Sequence, residues 1–130
     1  MIHGIGTDIV RVARMQTNLE QHGARFAERV LSDVEFAEFT QLNDTALQAR
    51  FLAKRFAAKE AAAKALGTGF RDGLSLKHAV VAHDAHGKPL LQWHGVGCEF
   101  VERFGVGECF LSIADESEYA IAYVVLLKKT

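Results

Sequence analysis

A long helix, predicted over residues 45–66, constrains the fold of this chain more than any other feature of its sequence. Asn43-Asp44-Thr45 supplies a helix-start signal, and Gly67 stands where a helix-ending glycine is expected. Between these two ends, alanines are so frequent that much of the helix surface carries little side-chain bulk. Because small side chains let another backbone approach closely, we predict that this helix lies at the centre of the fold.

The same helix is strongly basic. Between residues 50 and 64 there is one acid, Glu60, and the cations are Arg50, Lys54, Arg55, Lys59 and Lys64. Ion pairs between residues four apart on the helix cannot offset these charges, because nearly all of them are positive. The whole chain, by contrast, has a net charge of −1. One explanation of this composition is purely structural: alanine has a high helix propensity, and lysine and arginine keep the helix soluble. Half-buried cations need an anion, however, so we expect a phosphate ligand at this helix.

Hydrophobic periodicity around this helix predicts an α+β fold of antiparallel strands packed with helices. The predicted elements are strands at 2–10, 76–82, 88–93, 110–113 and 119–127, and helices at 11–22, 32–39, 45–66 and 95–104. One strand, then helices, then strands favours this class over a parallel wound sheet. The length of 130 residues and the mass of 14.3 kDa suit a single domain, residues 1–130.

Composition excludes several classes of protein. No run of eighteen apolar residues is present, so no membrane span is expected. The first residues lack the basic and apolar regions of a secretory signal. The only cysteines, Cys98 and Cys109, form no disulfide framework, so we expect reduced thiols and a cytoplasmic location. His83 and His86 lie in a predicted turn without a third ligand nearby, so no zinc site is predicted.

Two isolated carboxylates suggest a chemistry for the basic helix. Asp8 is the only acid in the first nineteen residues, and on a strand it shares a face with Gly4 and Gly6, which would leave room for a ligand. Asp8 could instead cap the following helix, and Glu60 could simply pair with Lys64. Together, two carboxylates and several cations match a magnesium site, because magnesium is commonly held by one or two carboxylates and substrate phosphates.

Four blocks of sequence occur in an order that is typical of one enzyme family. They are GIGTDIV at residues 4–10, followed by Arg14; RFLAKRFAAKEAAAKALGTG at residues 50–69; GKP at residues 87–89; and LSIADE at residues 111–116, with YA at residues 119–120. The blocks extend over nearly the entire chain. They resemble the holo-acyl-carrier-protein synthases, which are small phosphopantetheinyl transferases.

This resemblance implies a fold that forms homotrimers with active sites at the subunit interfaces. It also implies transfer of 4′-phosphopantetheine from coenzyme A to a serine of an apo acyl carrier protein, with magnesium as cofactor and adenosine 3′,5′-bisphosphate as the second product. Such a reaction would support fatty acid biosynthesis and would involve neither nucleic acid nor a membrane.

The resemblance also implies roles for particular residues. By motif position, Asp8 and Glu60 would hold magnesium and, together with Lys64, would carry out catalysis. The coenzyme A contacts would be Arg55, Lys59, Lys64, Gly67, Gly87, Lys88 and Pro89. The carrier-protein contacts would be Arg14, Arg25 and Phe26.

The identity of the general base and the effect of the residue directly before the fourth block stay open. Glu60, acting directly or through a metal-bound water, is the expected base. Glu35 is a rival, although its spacing from Ser32 is that of a capping box and favours a structural role. Many family members have a histidine directly before the hydrophobic–Ser/Thr pair of the late strand, where this chain has Phe110. The contact of that histidine near the nucleotide is therefore missing or replaced.

A non-catalytic module is the alternative function. Such a protein would use the basic helix to bind an acidic protein or a nucleic acid. The slightly acidic net charge and the absence of an aromatic row for base stacking argue against nucleic acid. A module of this kind would need neither a metal nor the two carboxylates, Asp8 and Glu60.

Overall fold

The computed structural model describes residues 1–130 and has an α+β architecture, as the sequence predicts. The elements are β1 (Ile2–Arg11), α1 (Val12–His22), α2 (Ala24–Val30), α3 (Asp33–Thr40), α4 (Thr45–Leu66), a 3-10 turn (Leu76–His78), β2 (Ala79–His83), β3 (Pro89–Trp93), α5 (Val96–Arg103), β4 (Val106–Asp115) and β5 (Tyr119–Lys128). All strand pairs are antiparallel: β1, β5 and β4 form one sheet in that order, and β2 and β3 form a separate hairpin.

Helix α4 packs directly on the backbone of β1, so the prediction of a central helix is confirmed. A Cβ atom added at Gly6 would lie 1.9 Å from the carbonyl oxygen of Ala61, and one added at Gly4 would lie 2.0 Å from that of Ala65. The alanines on this side of α4 are buried. The glycine surface was expected to leave room for a ligand, and the structure corrects this, because the helix itself fills the space.

The ends of α4 are set by local chemistry. The side chain of Asp44 accepts a hydrogen bond from the amide of Ala46 at 3.0 Å, which satisfies one of the free amides of the first turn. Gly67 ends the helix with φ at +90°, and its amide donates to the carbonyls of Ala63 and Lys64. This left-handed conformation favours glycine, so both predicted ends are confirmed.

Three short helices lead from β1 to α4. The predicted capping box is present at the start of α3: the Ser32 side chain accepts from the Glu35 amide, and the Glu35 carboxylate accepts from the Ser32 amide. Helix α2 is absent from the sequence prediction. It is seven residues long and follows Gly23, whose φ is +58°, so it has too few turns to display a clear helical period.

The hairpin differs from its prediction at its first residues. The strand expected from residue 76 begins at Ala79, and Leu76–His78 form a 3-10 turn. The turn is stabilised by the side chain of His78, whose Nδ1 accepts a hydrogen bond from the Ser75 amide at 3.0 Å. In the hairpin that follows, Ala79 pairs with Trp93 and His83 pairs with Pro89.

The two faces of the three-stranded sheet differ. One face contacts α4, and the other is open and largely apolar. On the open face Ile5 stands beside Val125, and Val125 stands beside Phe110. Ile5 is 68% exposed and Tyr123 is 57% exposed, which is unusual for large hydrophobic side chains on adjacent strands.

The helices of the chain include none with both the length and the apolar composition that crossing a membrane requires.

Candidate active site

Asp8 lies on β1 at the point where the strand passes the last turns of α4. It follows Gly6 on the face that contacts the helix. Its Oδ1 is 3.1 Å from Lys64 Nζ, which also donates to the carbonyl oxygen of Thr7 at 2.9 Å. The Asp8 side chain is 19% exposed and that of Lys64 is 54% exposed. Asp8 does not cap α1, because Arg11 occupies the N-cap position without a side-chain bond.

Glu60 belongs to the same cluster of charges. Burial raises the pKa of Glu60, the neighbouring Asp8 carboxylate raises this pKa further, and Lys64 and Arg14 oppose the shift. The Arg14 guanidinium stands 5.1 Å from the centroid of the Phe56 ring. The structure therefore brings together the three residues predicted to be catalytic, and it places Arg14, a predicted carrier-protein contact, beside them.

The pair formed by Asp8 and Glu60 suits a hard divalent cation. Both are carboxylates, the ligands that magnesium prefers, and a cation between them would offset the repulsion that helps to raise the pKa of Glu60. No cluster of three or more His, Cys, Asp or Glu side chains is present in the structure. A magnesium ion would therefore take its other ligands from water and phosphate, as it commonly does.

Most cations of α4 have carboxylate partners within the protein. The pairs are Arg50 with Asp115 at 3.0 Å, Arg55 with Glu35 at 3.9 Å and with Glu38 at 3.8 Å, Lys59 with Glu35 at 2.6 Å, and Lys64 with Asp8 at 3.1 Å. We expected a phosphate ligand because these cations have almost no partner on their own helix. That argument was wrong for most of them, since their partners come from distant parts of the chain.

Lys59 is enclosed by protein. Its side chain has no exposed surface, and its ammonium donates to Glu35 Oε1 and to the carbonyl oxygens of Leu76 and Ala79. All three N–H bonds of the lysine are thus used. Burial lowers the pKa of Lys59, and the Glu35 carboxylate opposes this shift. The predicted contact of Lys59 with coenzyme A has no donor left to make it, and the structure corrects this assignment to a structural role.

Arg55 and Glu35 flank Lys59 in the same buried region. The Arg55 guanidinium stacks over the Phe51 ring at 4.3 Å, and its Nε has no hydrogen-bond partner. Burial lowers the pKa of Arg55, and Glu35 and then Glu38 oppose this shift. Glu35 is fully buried and accepts from three donors, so it is inaccessible to a substrate hydroxyl. The structural role favoured for Glu35 is confirmed, and its role as a rival base is excluded.

The remaining predicted coenzyme A contacts lie at the end of α4 and in the β2–β3 hairpin. Gly67 is at the end of α4, while Gly87 and Lys88 form the tip of the β2–β3 hairpin and Pro89 begins β3. The carboxylate of Asp84 holds this tip, accepting from the amides of His86 at 2.8 Å and Lys88 at 2.9 Å. No hydrogen bond joins the tip to the acid pair.

Arg25 and Phe26, the other predicted carrier-protein contacts, lie apart from the acid pair. They line a surface cleft of about 240 Å³ together with Gln21, His22 and Arg29. The cleft has two arginines and no acid, so it suits an acidic partner. Arg14 is not part of this cleft. Sequence analysis missed Arg29 because α2 was not predicted, and it missed His22, the last residue of α1, because helical periodicity alone does not indicate a cleft.

Comparisons with known proteins agree with the four sequence blocks. A family profile described as the 4′-phosphopantetheinyl transferase superfamily matches residues 4–124. The holo-[acyl-carrier-protein] synthase of Halorhodospira halophila is 53% identical over 127 residues, which are 98% of this chain and 98% of that protein.

Solved structures give the same result. The crystal structure of the holo-[acyl-carrier-protein] synthase from Neisseria meningitidis superposes with a TM-score of 0.91 and 41% identity, covering 98% of this chain and 100% of that one. The Helicobacter pylori holo-[acyl-carrier-protein] synthase in complex with coenzyme A superposes with a TM-score of 0.79 and 30% identity, covering 94% of this chain and 98% of that one.

Proposed function

Since this chain belongs to the 4′-phosphopantetheinyl transferase superfamily and, within it, to the holo-acyl-carrier-protein synthases, we propose that it transfers 4′-phosphopantetheine from coenzyme A to a serine of an apo acyl carrier protein. The products are the holo carrier protein and adenosine 3′,5′-bisphosphate. We place this reaction in the cytoplasm, in fatty acid biosynthesis. The observation that carries the proposal is the cluster of Asp8, Glu60 and Lys64 at the contact between β1 and α4.

Asp8 and Glu60 are the residues that would hold magnesium, which neutralises charge on a diphosphate when it is bound. Glu60 is also the proposed general base for the serine hydroxyl of the carrier protein. In the metal-free protein, burial and the Asp8 carboxylate raise the pKa of Glu60, and in the reaction Glu60 would take the proton directly or through a metal-bound water. Phosphoryl transfer depends chiefly on the positioning of the reacting groups and on stabilisation of charge, so these few side chains are sufficient for the proposed reaction.

Lys64 supplies the mobile positive charge. Its ammonium bonds Asp8 and the Thr7 carbonyl, and the side chain is more than half exposed. A long exposed side chain can turn from the carboxylate to a phosphate oxygen without disturbing the core. We therefore assign Lys64 to stabilisation of negative charge on the leaving group.

Two further surfaces complete the proposed site. Gly67 at the end of α4 and Gly87, Lys88 and Pro89 of the β2–β3 hairpin would contact coenzyme A. The predicted contact of Arg55 is not retained, because its side chain is 5% exposed and is engaged by Glu35, Glu38 and the Phe51 ring. Arg14 beside the acid pair and the cleft around Arg25 and Phe26 would bind the carrier protein. The positive charge of this second surface suits an acidic partner.

We also propose that the protein is a homotrimer. Support comes from the open face of the three-stranded sheet, where apolar side chains of three adjacent strands are exposed. Such a face is costly to leave in water, and another copy of the same chain is the partner that is always present at equal concentration. Phe110 belongs to this face, so in this chain it would contribute an apolar contact at a subunit interface.

The reaction is tested by the intact mass of an apo acyl carrier protein after incubation with the enzyme, coenzyme A and magnesium. We expect a gain of one phosphopantetheine, and no gain when a chelator is added. Asp8→Asn and Glu60→Gln should each lower the rate on the order of 100-fold or more while the protein stays folded. Glu102→Gln is the matched control, because Glu102 is an exposed acid that pairs only with Lys129.

The outcome also separates the enzyme from a binding module. A module would bind the carrier protein without metal and would be indifferent to Asp8→Asn and Glu60→Gln. Full transfer activity in either of these variants, or transfer that continues in the presence of chelator, would contradict the assignment of the acid pair.

A further inference from the structure

The buried ion pair of Lys59 and Glu35 is not used by any step of the proposed reaction. Neither side chain has exposed surface, and Lys59 Nζ lies 2.6 Å from Glu35 Oε1. The other two ammonium N–H bonds reach the carbonyl oxygens of Leu76 at 2.9 Å and Ala79 at 2.6 Å. Burying two charges is costly unless every polar atom is satisfied, and here the ammonium is satisfied in full.

The carboxylate of the pair is equally engaged. Glu35 Oε1 also accepts from the Ser32 amide at 2.9 Å, and Oε2 accepts from the Val81 amide at 2.9 Å. The ion pair and its four backbone partners therefore join three parts of the fold: the start of α3, the middle of α4 and the first residues of the β2–β3 hairpin. We call this arrangement the Lys59–Glu35 clamp.

The clamp is the polar link between the hairpin and α4, beside the apolar packing of Ala79, Val81 and Leu91 in the core. Strands β2 and β3 pair only with each other and not with the three-stranded sheet. A side-chain hydrogen bond from Trp93 Nε1 to Cys109 Sγ, 3.3 Å long, ties β3 to β4. On the α4 side, the polar attachment of β2 consists of the clamp at Ala79 and Val81.

Helix α4 carries the hairpin and the acid pair on different sides of a single turn. Lys59 and Glu60 are consecutive residues. Lys59 points to Glu35 and the hairpin, whereas Glu60 interacts with Asp8 on β1. Because the helix is rigid, it fixes the position of the hairpin relative to the acid pair as long as the hydrogen bonds of the clamp are formed.

We propose that Lys59 and Glu35 are positioning residues for the donor substrate: their clamp holds the hairpin on α4, so that its tip at Gly87 and Lys88 and the acid pair are the correct distance apart for coenzyme A. This inference rests on the proposed function, because it takes coenzyme A to be the donor. Neither residue contacts the substrate. Lys59 and Glu35 act by keeping the hairpin tip and the acid pair in the arrangement that coenzyme A requires.

The first test is Lys59→Met, which keeps the length of the side chain and removes its charge and its donors. We expect faster hydrogen exchange at the amides of β2 and β3, with exchange at β1 and β5 unchanged. The KM and the calorimetric Kd for coenzyme A should rise about tenfold or more, the scale on which residues supporting a binding site act. The kcat and the KM for the carrier protein should change little, because only binding of the donor is lost.

A second variant keeps the test decisive if the first is too unstable. Lys59→Met alone leaves the Glu35 carboxylate buried without its counter-charge. The double variant Lys59→Met/Glu35→Leu removes both charges, and the backbone groups of the hairpin still lose their partners. We expect it to fold and to show the same looser hairpin and weaker binding of coenzyme A. Lys129→Met is the matched control, since it breaks an exposed pair with Glu102 and should change neither measurement.

Two results would overturn the proposal. One is a folded double variant in which hairpin exchange and the Kd for coenzyme A equal those of the wild type. The other is a variant that loses overall stability while its KM for coenzyme A stays unchanged, which would make the clamp merely structural. Failure of the proposed function is distinguishable, because it would appear as a wild-type protein that transfers nothing to the carrier.

Discussion

Replacing Gly6 by alanine tests whether contact between two backbones organises this fold. The new Cβ atom would lie 1.9 Å from the carbonyl oxygen of Ala61 and 2.8 Å from the amide nitrogen of Ala65. The first distance is 1.5 Å short of the 3.4 Å at which ordinary contact begins. Both neighbours are backbone atoms of a buried helix, so no side chain can rotate away, and β1 and α4 must separate.

The cost of this separation belongs at the upper end of what overpacking causes, about 3 kcal/mol. In a domain of this size that corresponds to a fall in Tm of roughly 10 °C. Activity should fall as well, because Asp8 follows Gly6 on the same face of the strand. Moving β1 away from α4 lengthens the 3.1 Å contact between Asp8 and Lys64.

Chemical denaturation and the intact-mass transfer assay measure the two effects. Gly107→Ala is the control, because Gly107 is also a strand glycine, but its new Cβ would lie 3.2 Å from the Cα of Lys129 near the chain end. Small adjustments relieve that contact, so the loss should stay under about 1 kcal/mol. If Gly6→Ala were as stable and as active as this control, the argument from close backbone contact would be refuted.

Two further predictions concern the acid pair and the open face of the sheet. Burial and then Asp8 raise the pKa of Glu60 in the folded state, so its contribution to stability is full below the unfolded pKa and is lost as the pH rises through the folded pKa. In metal-free protein kept in chelator, Glu60→Gln should therefore have a higher Tm than the wild type at pH 7, and scanning calorimetry should show the two proteins converging in acid. Ile9→Arg places a charge on the open face and should convert trimers to monomers in light scattering, whereas Thr40→Arg on α3 should not. A wild type that is already monomeric would refute the proposed trimer.

The elements that the sequence predicted well are those with local signals. Asp44 and Gly67 mark the two ends of α4, and each acts through a bond to its own helix. The capping box at Ser32 is likewise complete within four residues. The start of the hairpin was mistaken because its turn is held by the ring of His78, a contact that no hydrophobic period displays.

The proximity of Asp8 and Glu60 could be predicted in part from the sequence, whereas the carboxylate partners of the α4 cations could not. Strand alternation put Asp8 on the face of Gly6, and this face does contact the helix that carries Glu60. The partners of Lys59 and Arg50, however, are 24 and 65 residues away in sequence. Only the fold brings such pairs together, so a helix that looked uncompensated in sequence is largely compensated in three dimensions.

Exposure, and not residue type, decides which lysine of α4 can serve a substrate. Lys59 and Lys64 are five residues apart, which at about 100° per residue places them on different sides of the helix. Lys59 meets Glu35 and two carbonyls inside the protein and has no N–H bond to spare. Lys64 meets Asp8 at the surface and keeps a side chain that can move. The two lysines of this basic block therefore differ in what they can do: Lys59 is bound within the protein beside the hairpin, whereas Lys64 is exposed beside Asp8, where the proposed reaction requires a positive charge.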